Sequence, residues 1–585
     1  MQFIFRYMRK YRRMIAFGVF IKFLATLSEL LIPYVLEYII DYAAPSKNLS
    51  IVLLSGTAML LLALTVRFLN VKANRNAVKV AKLCIYEVRR DLFHTSINLS
   101  GRQTDGFGLP SITSRMTSDT YNVQGFIQSS QTLVVRAPIL LFGGIVVTMT
   151  MDTGLAGVLC IMAPVMIAII VFVSRRGVPL YDKVQQGMDS IVRIMRENIT
   201  GIKVVKALSK EDYERRRYSE ANETLARRDR KAGIVMALPG PIMSLALNLG
   251  LTVVVVVGAY RVNAGRTLPG VILAFLTYFN MILMGVLGLN RVFMMASKAN
   301  ASAKRIQAVS DSPAEPVAVS EEDAAATGSS DAVVFDNVSF SYVDPSEPED
   351  SSGFAGEKRR MSLDSVSFSI PRGGSLGIIG PTGSGKTTMI NLMMRFYDAT
   401  SGHVFIDGKD VRTYQLDDLR RKFGVVFQND VIFADTISEN ISFGRDVSGE
   451  RMQQAVSDAM ATDFIGDYDD GLEHMAEIHG SNFSGGQKQR ILISRALAAR
   501  PEILVLDDSS SALDYRTDAS LRKAVNTNYA GTTTIIIAQR ISSIMNLDRI
   551  IVLDEGHVIG YGSHDELLQT CPQYREIRDI QMGDC

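Results

Sequence analysis

The sequence predicts a multidomain chain: an all-α transmembrane domain of six helices, followed by an α/β domain of P-loop type. Three observations carry this. Six apolar runs fill the first half, each long enough to cross about 30 Å of hydrocarbon. From residue 333 onward, short β-rich runs alternate with helical patterns, as in a sheet layered with helices. A glycine-rich turn, residues 380–387, lies between an apolar strand and a helix. A chain of 585 residues is too long for one ordinary core. Its net charge of +2 gives no field for a nucleic-acid partner.

The apolar runs fall at residues 14–40, 51–69, 131–151, 154–173, 241–260 and 268–295. Lysine and arginine set how they thread the bilayer, because basic connections stay on the cytoplasmic side. Arg6, Arg9, Lys10, Arg12 and Arg13 precede the first run. Lys72, Arg75, Lys79, Lys82, Arg89 and Arg90 follow the second. Arg175, Arg176, Lys203, Lys206, Lys210, Arg215, Arg216 and Arg217 follow the fourth. The alternate connections, near 41–50, 152 and 261–266, are short and carry few basic residues. Both termini are therefore expected on the cytoplasmic face of an integral, multi-pass membrane protein. The basic start before an apolar stretch resembles a signal peptide. The stretch continues past Leu30 without a small-residue cleavage site, which favours an uncleaved first span.

The connections 71–98 and 185–231 have mixed charge and few breakers. They read as membrane helices continuing into water, with turns expected in the breaker-rich or mixed stretches 101–110 and 201–212. Charged residues inside spans are functional candidates. Lys22 and Glu29 share a helix face, Glu37 lies about 80° round from Glu29, and Arg136 and Arg291 sit in or near other spans. They could line a polar cavity, or pair between helices and snorkel to the interface. Cys84, Cys160, Cys571 and Cys585 have neither metal nor redox spacing and read as unpaired thiols.

The composition sets domain boundaries: a membrane domain at 1–310, a linker rich in Ala, Ser, Pro and Glu at 311–331, and a nucleotide-binding domain at 332–585. A polar stretch at 344–358 interrupts the early strands and reads as a disordered insertion.

Within the second domain, residues 380–387 (Gly-Pro-Thr-Gly-Ser-Gly-Lys-Thr) match the Walker A pattern between a strand at 375–379 and a helix at 388–396. Small residues let backbone N–H groups close on phosphates at a helix start. Gly380, Thr382, Gly383, Ser384, Gly385, Lys386, Thr387 and Thr388 are the candidate ATP contacts, with Lys386 on the β- and γ-phosphates and Thr387 on Mg²⁺. An apolar strand, 503–507, ends in Asp507, a carboxylate suited to the Mg²⁺ shell. Residues 482–490 (Asn-Phe-Ser-Gly-Gly-Gln-Lys-Gln-Arg) precede that strand. There Ser484, Gly485, Gly486 and Gln487 offer a hydroxyl and backbone donors at a helix start.

The 482–490 segment resembles the signature of ATP-binding-cassette proteins, with Phe483 where leucine is commoner. With the other two motifs in order, the whole chain is similar to that family's six-span exporters. The resemblance implies ATP and Mg²⁺ as cofactors and export of a small, amphipathic or hydrophobic molecule across a bacterial inner or plasma membrane. It also implies Tyr342 as the aromatic that stacks on adenine, the alternative being strand packing. Gln428 becomes a third Mg²⁺ contact, and 511–514 the loop that crosses between two cassettes. Residues 114–119 and 197–206 look like the family's cytoplasmic hairpins.

Two positions depart from the family. The residue after the Walker B aspartate is Asp508 where hydrolysing cassettes have glutamate, and a misplacement of about 1 Å costs about 100-fold in rate. Gln539 stands where the switch histidine is usual and has no titratable ring. The resemblance to exporters with one degenerate site implies a heterodimer with a second half-transporter. This chain would hold ATP at a weak site and lend Ser484, Gly485, Gly486 and Gln487 to the partner's nucleotide, where most hydrolysis would occur. A homodimeric exporter using Asp508, an ATP-gated channel or regulator, and a nucleotide-bound scaffold subunit are the competing readings.

Overall fold

The computed structural model describes residues 1–312, 318–319, 329–342, 361–428, 430–509 and 511–583. Most of the expected linker and all of the 344–358 insertion lie outside the described residues. Two compact units form: Met1–Ile97 with Gly108–Ser312, and Asn98–Phe107 with Pro313–Cys585. Asn98–Phe107, placed in the membrane domain by sequence, thus clusters with the nucleotide-binding domain.

The first unit contains six helices long and apolar enough to cross a membrane. They are α1 (Arg12–Ala43), α2 (Leu49–Ile97), α3 (Leu109–Met151), α4 (Thr153–Thr200), α5 (Glu211–Asn263) and α6 (Pro269–Ser310). α2 and α4 continue well past their apolar stretches, as the mixed-charge periodicity predicts. The chain reverses within both stretches, and each reversal holds a short helix that the breaker-rich composition does not show. Gly101–Phe107 is helical because Ser100 and Gln103 form a reciprocal cap, the Gln103 N–H donating to Ser100 Oγ and the Ser100 N–H to Gln103 Oε1. It ends before Gly108, whose φ of 73° breaks the helix. Ile202–Ala207 likewise forms a helical segment beyond Gly201.

In the second unit, an antiparallel sheet has the order β2–β1–β4–β5, built from β1 (Val333–Phe340), β2 (Leu363–Ile370), β4 (Ser401–Ile406) and β5 (Lys409–Asp410). A second sheet has the order β10–β9–β3–β8–β7–β6. Its strands are β3 (Ser375–Ile379), β6 (Phe423–Val426), β7 (Ile503–Asp507), β8 (Thr533–Ile537), β9 (Arg549–Asp554) and β10 (His557–Gly562). All pairs from β9 to β6 are parallel. β7 and β8 are buried along their whole length, which is why they read as unbroken apolar runs. The helix after β3, α7, spans Lys386–Met393 rather than the expected 388–396. Gly385 caps it in the left-handed conformation, so the first helical residue is Lys386, and Arg395 at φ 51° closes its far end.

The intramembrane charges show how the first unit is held together. Arg136 on α3 donates to both oxygens of Glu29 on α1, at 2.7 and 3.3 Å. Lys22 is buried, and its ammonium donates to Asn70 Oδ1 at 2.6 Å and Asn74 Oδ1 at 3.5 Å on α2. Interhelical pairing therefore accounts for Glu29 and Arg136, while amide oxygens hold Lys22. Arg291 is exposed. At the far ends of α4 and α5, Asp152 accepts from Arg261 at 3.1 Å.

α3 and α6 approach backbone to backbone. A Cβ on Gly285 would stand 2.9 Å from the Ala137 carbonyl oxygen, and one on Gly288 would stand 2.9 Å from Ala137 Cβ. Such close approach is how small residues pack helices in lipid. Gly285→Leu should therefore destabilise the detergent-solubilised chain by about 1–3 kcal/mol, the range for overpacking. The expected readout is earlier thermal aggregation, and an unchanged onset would show that the helices do not meet there.

Candidate nucleotide site

The parallel sheet brings three loops to one edge, because β3, β8 and β7 are neighbours. They border a cleft of about 250 Å³. Residues from the β3–α7 turn enter it from one side, Asp507 and Asp508 from the end of β7, and Ala538 and Gln539 from the end of β8.

The turn is built for close approach. Gly383 and Gly385 take φ values of 85° and 101°, open to glycine and costly to other residues. A Cβ on Gly385 would also lie 2.5 Å from the Ser362 carbonyl oxygen. Lys386 extends its ammonium over the turn, donating to the carbonyls of Gly380 at 2.8 Å and Pro381 at 2.7 Å. Burial pushes the Lys386 pKa below the usual lysine value, against the pull of Asp507 and Asp508.

Thr387 donates its hydroxyl to Asp507 Oδ2 at 3.0 Å. Asp507 is buried, and burial raises its carboxyl pKa, the Thr387 bond acting the other way and Asp508 adding to the rise. Gln428 lines the same cleft. No cluster of three His, Cys, Asp or Glu side chains suited to a metal occurs among the described residues. A hydroxyl, a carboxylate and an amide facing one cleft fit Mg²⁺, which is commonly bound through one or two carboxylates plus substrate phosphates. A caged transition metal would need more protein ligands.

Asp508 and Gln539, the two departures, touch each other. Gln539 Nε2 donates to Asp508 Oδ2 at 2.9 Å. Burial raises the Asp508 pKa, opposed first by Lys386 and then by this bond. Asp508 itself sits at φ 49°.

Tyr342 and Thr388 also line the cleft. The Tyr342 hydroxyl lies 3.2 Å from Thr388 Oγ1 and accepts from Asn391 Nδ2 at 3.2 Å. Its ring meets Phe340 and Tyr397 edge to face, yet the residue stays 42% exposed. Gly380 and Ser384 shape the turn from behind. A Cβ on Gly380 would strike the Leu553 carbonyl, and Ser384 is buried.

The 484–487 group does not line this cleft. Ser484 caps helix α8 (Gly485–Ala498), accepting from the Gln487 N–H while Gln487 Oε1 accepts from the Ser484 N–H at 2.8 Å. Gly486 makes room for the Ala512 carbonyl, 3.1 Å from where its Cβ would be. Asp514, at the end of the 511–514 loop, caps helix α9 (Tyr515–Asn528) through Thr517. Sequence reasoning missed Ser362, which lines the cleft, and Asn391, which grips Tyr342. Neither carries a motif; only the folded register brings them in.

Residues 15–287 match the family of the ABC transporter transmembrane region, and residues 363–511 match the ABC transporter family. An uncharacterized ABC transporter ATP-binding protein of Mycobacterium tuberculosis is 32% identical over 98% of this chain and 97% of its own length. An ATP-dependent lipid A-core flippase of Syntrophus aciditrophicus is 31% identical over 80% of this chain and 76% of its own. Among solved structures, a bacterial Atm1-family ABC exporter with ATP bound is similar with a TM-score of 0.79 and 25% identity, covering 98% of this chain and 99% of that one.

Burial of Asp507 has a consequence for stability. Its folded pKa lies above its unfolded one, so the folded state binds more protons between the two values and stability falls as pH rises through that window. At neutral pH the full cost remains. Asp507→Asn should therefore stabilise the nucleotide-free, chelator-treated chain by about 1 kcal/mol, the scale seen when a functional site is relaxed. A thermal midpoint at or below wild type would contradict this.

Proposed function

The chain belongs to the ABC transporter family as an exporter half-transporter, six membrane-spanning helices fused to one ABC ATPase domain, and we propose that it serves as one subunit of a heterodimer whose own site retains ATP and hydrolyses it slowly. The observation that carries this reading is the bond between Asp508 and Gln539. A hydrolytic base must hold a water in line with the γ-phosphate. Here the carboxylate is one methylene shorter than glutamate and already engaged by an amide. Gln539 can donate a hydrogen bond to developing charge but cannot supply a cation.

In this reading the β3–α7 turn, with Gly380, Thr382, Gly383, Ser384, Gly385 and Lys386, holds the phosphates, and Tyr342 takes the base beside Thr388. Thr387, Asp507 and Gln428 hold Mg²⁺, which when bound neutralises phosphate charge. Ser484, Gly485, Gly486 and Gln487 serve the nucleotide on the partner's cassette. Their reciprocal cap fixes the start of α8 before any nucleotide arrives, and they lie outside the chain's own cleft.

The cargo we propose is small and amphipathic or hydrophobic. The partly exposed Glu29–Arg136 pair among apolar helices supports a cargo with both characters, and the flippase relative acts on a lipid. The reading puts the nucleotide-binding domain and both termini on the cytoplasmic face of a bacterial cell membrane, because that is the side the basic connections favour.

The test is ATP turnover by the purified chain in lipid, alone and with a candidate partner. Alone, wild type should turn over at a small fraction of the pair's rate. Asp508→Glu combined with Gln539→His should raise the lone chain's rate about 10- to 100-fold. Full exporter rates from the lone wild type, unmoved by Asp508→Glu, would favour the homodimeric exporter instead.

A further inference from the structure

The loop after β8 leaves the ladder beyond Ala538, whose N–H still donates to the Ile378 carbonyl at 3.2 Å, and the C-terminal helix helps to set its position. Helix α10 (Pro572–Met582) packs on this loop, with buried Tyr574 and partly buried Ile577 against Ile541 and Ile544. At its last turn the Gln581 side chain closes two bonds. Its Nε2 donates to the Gln539 carbonyl at 2.7 Å, and its Oε1 accepts from the Ile541 N–H at 2.8 Å. One amide thus spans Arg540 and satisfies both backbone groups that flank it. Gln539, whose carbonyl is held from behind, turns its own amide onto Asp508 Oδ2 at 2.9 Å.

We propose that Gln581 is a positioning residue for the Asp508–Gln539 pair, making the C-terminal helix part of the apparatus that holds nucleotide at this chain's site. Three side chains in series connect the helix to the cleft: Gln581 to the Gln539 backbone, and the Gln539 amide to Asp508. The role rests on the reading of Gln539 as the residue facing the γ-phosphate. Buried Ile541 and Ile544 and the Arg522 bond to the Ser542 carbonyl at 2.6 Å anchor the later part of the loop. The two Gln581 bonds hold its start, at the Gln539 carbonyl and the Ile541 N–H. Without them the Gln539 amide would spend part of its time away from the nucleotide. Gln581 is exposed, does not line the cleft, and bonds to the loop at Gln539 and Ile541, so its substitution acts on the loop and not on the phosphate turn.

The experiment uses the full-length chain in lipid. First, amide hydrogen exchange is measured without nucleotide. Gln581→Ala should speed exchange in the 538–544 segment about tenfold, with the 380–387 turn unchanged. Second, release of labelled ATP is followed after chase. Gln581→Ala should release it about 2- to 10-fold faster, the range one or two net hydrogen bonds imply. Gln581→Glu, which keeps the acceptor for Ile541 and loses the donor for Gln539, should fall between. In a Gln539→Ala background, Gln581→Ala should add nothing, because the positioned group is already gone. Unchanged exchange, or faster exchange with unaltered ATP release, would overturn the proposal. So would additive effects in the double variant. If Gln539→Ala alone leaves release unchanged while exchange responds to Gln581→Ala, the clamp exists but the reading of Gln539 as a nucleotide contact fails.

Discussion

The arrangement of the cleft depends on one constraint, the parallel order β3–β8–β7. Ile378 pairs with Ile537, and Ile537 in turn with Asp507. The three strands therefore end level, and the chain must turn three times at one edge of the sheet. Hydrogen bonds continue the ladder past the strands: the Ala538 N–H donates to the Ile378 carbonyl at 3.2 Å, and the Asp508 N–H to the Ile537 carbonyl at 2.9 Å. In a parallel sheet the ligand site falls where strand ends and helix starts meet. Here the register alone brings a lysine, two carboxylates and an amide within one cleft, although they are spread over more than 150 residues of sequence.

A different economy governs the membrane helices. Among the described residues, the Lys22 ammonium donates to the side-chain oxygens of Asn70 and Asn74, one turn apart on α2, and to no carboxylate. Amide oxygens satisfy the ammonium without neutralising it. Glu29 and Arg136 do neutralise each other, and in low dielectric a geometry with two hydrogen bonds is needed to offset desolvation. Polar contacts of this kind fix which helix faces meet, while the glycine contacts between α3 and α6 fix how closely.

Much of this was legible in the sequence. The six apolar runs, the strands at 375–379 and 503–507 and the glycine-rich turn follow from period, run length and motif, because those features answer to local chemistry. Tyr342 and Gln428, by contrast, are reached only through the family resemblance, and Ser362 not at all. The short helices at Gly101–Phe107 and Ile202–Ala207 did not read as helices, since glycine and proline nearby obscure a cap such as that of Ser100 and Gln103. The start of α7 was misplaced for a similar reason: only the left-handed backbone of Gly385 decides that Lys386 is already helical. Gln581 carries no sequence signal, because its role comes from where a terminal helix docks and not from its neighbours in the chain.

The backbone at Asp508 is compatible with the shorter acid. With φ at 49°, this residue occupies the left-handed region, where aspartate and asparagine are several-fold enriched among residues other than glycine. A short polar side chain can bond locally in that conformation, and a longer one has less to gain. From there the geometry leads to the signature. The Asp508 carbonyl accepts from the Ser511 hydroxyl at 2.9 Å, and the next residue, Ala512, sets its carbonyl against Gly486 at the start of α8. The turn after β7 therefore supports the 484–487 group whatever its carboxylate does in the cleft. The turn is held through the Asp508 backbone carbonyl, so the support it gives to the start of α8 does not depend on which acid stands at this position.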